Sequence, residues 1–276
     1  VGDADFATLV DTAAAHGFHS ISVSPYAFAQ ALDAGWTESV MTDRLADAGI
    51  TVSMVDALTE VFPGVPSPSE LDPALRAALG VAVVEAPARS MGLRAAAALG
   101  ARSVNVTHYL GVPTPFGALT DALAAVSREA AGLGLLVCVE FIPKTSIPDI
   151  TTAQRLVEAS GARNARVLLD TWHHARGGGT LDDVRALPAG SIGAVQLSDR
   201  VAPEDRPAGS VFAGRRLPGD GSLPLVDIVA AALSNSPELT IDVEVSNTDF
   251  AAMTTDEIVA EAARAATEWS AVYDDG

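Results

Sequence analysis

The stretch Ala130-Ala131-Gly132-Leu133-Gly134-Leu135-Leu136-Val137-Cys138-Val139-Glu140-Phe141 carries the architecture in miniature. A helix-forming run ends at glycine, the residue that tolerates the left-handed position just past a helix. A short apolar, β-branched run follows, as expected of a strand buried on both faces. That run then closes on a carboxylate. The same phrase recurs along the chain. Ala13 to Gly17 leads into Phe18–Val23, and Leu45 to Gly49 into Ile50–Val55. Ala97 to Gly100 precedes Ser103–Val106, and Val157 to Gly161 precedes Ala165–Leu169.

The helical stretches have the matching period. Leu119, Leu123, Val126, Ala130 and Leu133 step by four and three and predict one buried stripe, as do Met41, Leu45 and Ala48. Two more strands fit Ile192–Leu197 and Leu239–Val245, with a last helix near Thr255–Tyr273. Alternating strands and helices predict a parallel sheet with helical cover. The fold class is therefore α/β, a TIM (β/α)8-type barrel. Seven strands follow the first helix, so the first of eight is expected to be missing or truncated before Val1. A seven-stranded barrel and a doubly wound open sheet are the alternatives. The long segments Asp56–Glu85 and Ser198–Gly221 both follow strand ends, where barrel enzymes build their sites. No linker is visible, and residues 1–276 are read as one domain, close to the roughly 250 residues usual for such barrels.

Composition bounds the function. The chain has 276 residues, 49% of them hydrophobic, and a formal net charge of −18. Such acidity opposes binding to nucleic acid or to anionic lipid. No apolar run approaches the ~20 residues of a membrane-spanning helix, and the start does not read as a signal peptide. With the single Cys138, no intrachain disulfide and no cysteine-rich zinc site can form, which points to the cytoplasm.

Four consecutive strands end in side chains able to bind a metal: Glu140, Asp170, Gln196 and Glu244. A carboxylate inside an apolar strand is costly unless a cation or donors compensate it. Neighbouring strands lie about 4.8 Å apart, so four inward side chains can meet at one ion. The alternative for each residue alone is a strand-end carboxylate with a basic partner.

These strand ends also carry a resemblance. Val139-Glu140-Phe141, Asp170-Thr171-Trp172-His173, Val195-Gln196-Leu197-Ser198-Asp199, Arg216-Leu217-Pro218-Gly219-Asp220-Gly221 and Val243-Glu244-Val245 stand in the order found in the xylose isomerase-like TIM barrels. That family includes sugar-phosphate isomerases and epimerases, inosose isomerases and dehydratases, and the D-tagatose 3-epimerase group. The resemblance runs from about Phe6 to Trp269. It implies a metal site of Glu140, Asp170, Gln196 and Glu244, with Glu140 and Glu244 also the acid/base pair. It implies substrate contacts from His173 and Arg216. His108, Lys144 and Trp172 are further candidates for substrate binding at the mouth. Gln196 departs from the family's usual His. An all-oxygen set suits Mn²⁺ or Mg²⁺ better than Zn²⁺ or Co²⁺; the other reading is a weakened or lost metal site.

The expected activity is isomerisation or epimerisation of a keto-sugar or a cyclic polyol ketone by proton transfer through a metal-stabilised enediolate. A metal-dependent lyase of the inosose or 3-dehydroshikimate dehydratase type is the alternative within enzymes. The endonuclease IV-like branch needs many histidines and a basic groove, which five histidines and the net charge oppose. A non-catalytic carbohydrate-binding barrel is the reading if Gln196 marks a dead site. The sequence leaves a homo-oligomer open. Asp199 reads as a solvated loop charge, and Gly177-Gly178-Gly179 as a turn leading to an N-cap at Thr180.

Overall fold

A computed structural model describes residues 4–66, 70, 87–108, 112–202 and 214–275. Parts of both long segments, including Pro68, Glu85 and 203–213, lie outside the described residues. Helix α1 (Phe6–Ala15) leads to β1 (Ser20–Val23), and α2 (Pro25–Asp33) and α3 (Glu38–Ala48) lead to β2 (Thr51–Leu58). Next come α4 (Arg89–Leu99), β3 (Ser103–Thr107), α5 (Phe116–Ala131), β4 (Leu136–Glu140), α6 (Ile150–Ser160) and β5 (Ala165–Asp170). Short helices α7 (Thr171–Arg176) and α8 (Leu181–Arg185) precede β6 (Ile192–Leu197). The two-residue strands β7 (Asp199–Arg200) and β8 (Arg215–Arg216) pair antiparallel. The chain closes with α9 (Leu225–Asn235), β9 (Thr240–Val243), a 3₁₀ turn (Thr248–Ala252) and α10 (Thr255–Asp275).

The seven long strands form one parallel sheet in the order β1-β2-β3-β4-β5-β6-β9, curled into a nearly closed barrel under its helices. Its edge strands are β1 and β9. Across that seam Ser53 on β2 donates to Asp242 on β9 at 3.0 Å. Among the described residues, no helix is long and apolar enough to cross a membrane.

Gly49 and Gly161 cap α3 and α6 with φ of 67° and 66° as read, whereas Gly132 after α5 keeps a right-handed φ of −62° and the positive φ falls two residues on, at Gly134. On α5, Leu119, Leu123, Val126 and Ala130 are buried, each contributing up to about 1.5–3 kcal/mol for the larger side chains. Leu133 departs from that stripe and is exposed. The helix ends at Ala131, so the 3.6-residue period no longer governs where Leu133 points. Asp56 also departs from the reading: β2 runs on to Leu58, so Asp56 belongs to a strand and not to the loop after it.

Candidate active site

Successive side chains on a strand point to opposite faces, so residues two apart share the barrel interior. Met54, Cys138, Leu168 and Ala194 form a buried apolar cluster separate from the main core. Burial in that cluster pushes the Cys138 thiol up to about 12, which keeps it neutral and unreactive. Two residues further along the same strands stand Asp56, Glu140, Asp170 and Gln196. The strands are parallel, so this second layer lies at their carboxyl ends, above an apolar floor. Asn105 on β3 joins the ring through its side-chain bonds, and Asp242 on β9 lies opposite Gln196 by register. Glu244 follows β9, and its amide continues the ladder by donating to the Leu197 carbonyl.

The ring is tied together by amides. Asn105 Nδ2 donates to Asp56 Oδ1 at 2.7 Å and to Glu140 Oε2 at 2.8 Å. Gln196 Nε2 donates to Asp56 Oδ2 at 2.6 Å. Consequently Gln196 Oε1 faces the other way, buried and with no hydrogen-bond partner. An orphaned buried acceptor costs about 1–3 kcal/mol unless something binds it.

Asp170 has a double role. Its Oδ1 caps α7 by accepting the His173 amide at 2.8 Å. The cap fixes His173 one turn into α7, where its Nε2 stands 3.4 Å from Glu140 Oε1. One ligand atom each from Glu140, Asp170 and His173 lies within 4.8 Å of the others, and all three residues are buried.

The cation present among these acids is Arg215. Its Nη2 donates to Asp170 Oδ2 and to Glu244 Oε2, both at 2.7 Å, and its Nε to Ser198 Oγ at 3.1 Å. The guanidinium lies over the Trp172 ring, 5.1 Å from the centroid, with that of Arg176 also over the ring at 4.3 Å. Arg215 is 2% exposed, whereas the Glu244 side chain is 39% exposed and forms the rim.

Burial, with the charges of Glu244 and Asp242, pushes Asp56 up to about 7. Burial, with Glu244, Asp56 and Asp170 nearby, holds Glu140 well above the usual carboxylate range. His173 is driven the other way, to about 3, by burial and then by Arg215, so it is a neutral imidazole at pH 7. Surplus carboxylate, a neutral imidazole and an orphaned amide oxygen together fit a divalent cation.

The structure brings Glu140, Asp170, Gln196, Glu244, His173 and Trp172 to this mouth. It does not bring Arg216, which pairs with Asp249 at 2.8 Å on the outer side of β8. Its neighbour Arg215 takes the inward position, because adjacent strand residues face opposite ways. His108 is buried between loops, near Thr114 Oγ1 and accepting from the Ser146 amide, both at 3.3 Å. Lys144 is exposed on the loop after β4, at a φ of 73°. Asp199 is no solvated charge: it is buried and accepts the amides of Arg200, Gly219, Gly221 and Leu223. His174 turns away from the mouth to the Thr180 carbonyl, and Thr180 caps α8.

Asp56, Asn105, Asp242 and Arg215 are site residues that the sequence reading passed over. Interior parity was the available signal for Asp242, which shares its face with Glu244.

A parallel (β/α) barrel with acids at the carboxyl ends of its strands defines a class of enzyme-like barrel. Residues 10–269 match the family model described as "Xylose isomerase-like TIM barrel", and the chain belongs to that family. A Streptomyces coelicolor protein named "Putative hydroxypyruvate isomerase" is 29% identical, in a match that covers 79% of this chain and 77% of the relative. Among solved structures, the IOLI protein with a binding zinc atom superposes with a TM-score of 0.78 at 16% identity, covering 98% of this chain and 94% of that one. D-psicose 3-epimerase in the presence of D-fructose gives 0.68 at 17%, covering 99% and 95%. At such identities these two likenesses are to the fold.

Proposed function

We propose that the protein is a divalent-metal-dependent isomerase or epimerase of a small hydroxy-ketone, a keto-sugar or a cyclic polyol ketone. The observation that carries this reading is the meeting of Glu140, Asp170 and His173 within 4.8 Å of one another, beside the unpartnered Gln196 Oε1. Family membership and the named relative support the same class.

Glu140, Asp170, Gln196 and Glu244 would hold the ion, with His173 Nε2 beside Glu140. Such an ion supplies polarisation of a carbonyl, which lowers the cost of removing the proton next to it. Glu140 ends β4 and Glu244 follows β9, with β5 and β6 between them, so they flank the mouth from two sides. One would remove the α-proton and the other would return a proton. Asn105 holds the Glu140 carboxylate in one orientation by donating to Oε2, leaving Oε1 toward His173. The apolar floor of Met54, Cys138, Leu168 and Ala194 keeps water from below the reacting carbon.

The test is a panel of ketoses, inososes, hydroxypyruvate and 3-dehydroshikimate, assayed with Mn²⁺ and Mg²⁺. Glu140→Gln and Glu244→Gln remove a base at almost constant shape. Turnover should fall roughly 10²–10⁴-fold while the circular dichroism spectrum stays that of the wild type. Loss of water from the substrate in place of isomerisation would assign the lyase reading, and undiminished activity in both variants would remove the acid/base pair.

A further inference from the structure

Asp170 has both oxygens engaged: the His173 amide occupies Oδ1, and Arg215 Nη2 occupies Oδ2 at 2.7 Å. The same Nη2 also takes Glu244 Oε2 at 2.7 Å. Two of the four expected metal ligands are therefore already joined by one positive group. Charge-assisted bonds of this length are the strong ones, and here the guanidinium is buried and lies over an aromatic face. A cation entering between Asp170 and Glu244 meets that guanidinium at the oxygens it needs.

The backbone that carries Arg215 is anchored, so displacement falls to the side chain. Strand β8 pairs with β7, Arg215 opposite Arg200 and Arg216 opposite Asp199, and the Val201 amide continues the rung by donating to the Gly214 carbonyl. The Asn247 side chain holds the Arg215 carbonyl at 2.9 Å, so the main chain stays anchored while the side chain swings.

We propose that Arg215 is the built-in counter-cation of this carboxylate cluster, and that a divalent ion binds by displacing its guanidinium from Asp170 and Glu244. This rests on the metal reading of the site. Arg215 thus keeps the metal-free barrel from holding a nest of unpaired acids, and it weakens metal affinity in exchange. It acts on the metal through the ligands, so it is a positioning residue for the ion.

Mn²⁺ binding is measured by calorimetric titration on the wild type and on Arg215→Met, with thermal unfolding of both metal-free proteins. Removing a competing cation should tighten the dissociation constant of Arg215→Met at least about tenfold. The metal-free variant should unfold at lower temperature than the wild type, and Mn²⁺ should raise its Tm more. An unchanged or weaker affinity in Arg215→Met, with the wild type still binding, overturns displacement and leaves the metal site standing. Failure of both proteins to bind overturns the metal reading along with it. The wild type gives a second readout that needs no folded Met variant. The ¹⁵N–¹H signals of the Arg215 guanidinium, assigned by comparison with Arg215→Lys, should shift and exchange faster with solvent as Mg²⁺ is added. Signals that stay fixed at saturating Mg²⁺ contradict the proposal.

Discussion

Gln196 stands where one amide serves two opposing demands. Its nitrogen donates to Asp56, and its oxygen, turned away from Asp56, is buried and left without a donor. If that oxygen binds the ion, Gln196→Leu should weaken Mn²⁺ affinity by an order of magnitude or more. Gln196→His should keep a site and move its preference toward Zn²⁺ or Co²⁺, since imidazole suits those ions better than a carbonyl does. Titration of the three proteins with each metal checks this; equal affinities throughout would put Gln196 outside the coordination shell. Asp56 carries its own prediction for the metal-free protein. Its folded pKa, about 7, lies above the ordinary 3.8. The folded state therefore binds the proton more tightly between these values, and the stability from Asp56 is lost as pH rises from about 4 through 7. His173 works in the opposite sense, because its folded value near 3 costs stability as pH falls below about 6.5. Asp56→Asn removes the titrating group at nearly constant size. Urea unfolding at pH 5.5 and 7.5 should show the wild type losing at least about 1 kcal/mol more than the variant across that interval. Identical losses would mean that Asp56 titrates normally.

The strands and helices were readable because each repeats a local rule: a stripe at helical spacing, a glycine where φ turns positive, a β-branched run. The acids at the ends of β4, β5 and β9 were readable for the same reason, each closing an apolar strand. Two elements escaped that grammar. Strand β2 reads as ending at Val55 because Asp56 interrupts the apolar run; the strand continues through it to Leu58, and the interruption is itself a member of the candidate site. Strand β8 is two residues long, too short for a period to tell Arg215 from Arg216, and a slip of one exchanges inward for outward. The register of β8 is set against β7, where Asp199 stands opposite Arg216. Asp199 gathers the amides of Arg200, Gly219, Gly221 and Leu223 and so shapes the turn after β8. Gly221 has no room for a side chain there, since a Cβ would run into Asp199 Oδ1 and the Arg200 carbonyl. Asp199→Ala should cost about 2 kcal/mol or more by leaving those amides without their acceptor. Denaturant unfolding checks the loss, and a change under about 0.5 kcal/mol, typical of surface sites, would mean that the turn holds itself.

Taken whole, the molecule places its chemistry where a parallel barrel concentrates it. Apolar residues fill one interior layer, and two residues later the same strands present Asp56, Glu140, Asp170 and Gln196. With a formal net charge of −18, the chain gathers part of its excess acidity around one buried arginine. Such an arrangement is poor at stabilising a fold and well suited to holding a cation and moving a proton. In the proposed reaction, proton transfer next to a carbonyl takes place at this mouth. It is tested most directly by running the wild type with Mn²⁺ on its keto-substrate in D₂O, alongside a substrate deuterated at the α-carbon in H₂O. Proton transfer between Glu140 and Glu244 predicts deuterium at the α-carbon, or a primary isotope effect where the same proton is returned. Turnover with neither label uptake nor isotope effect would contradict it.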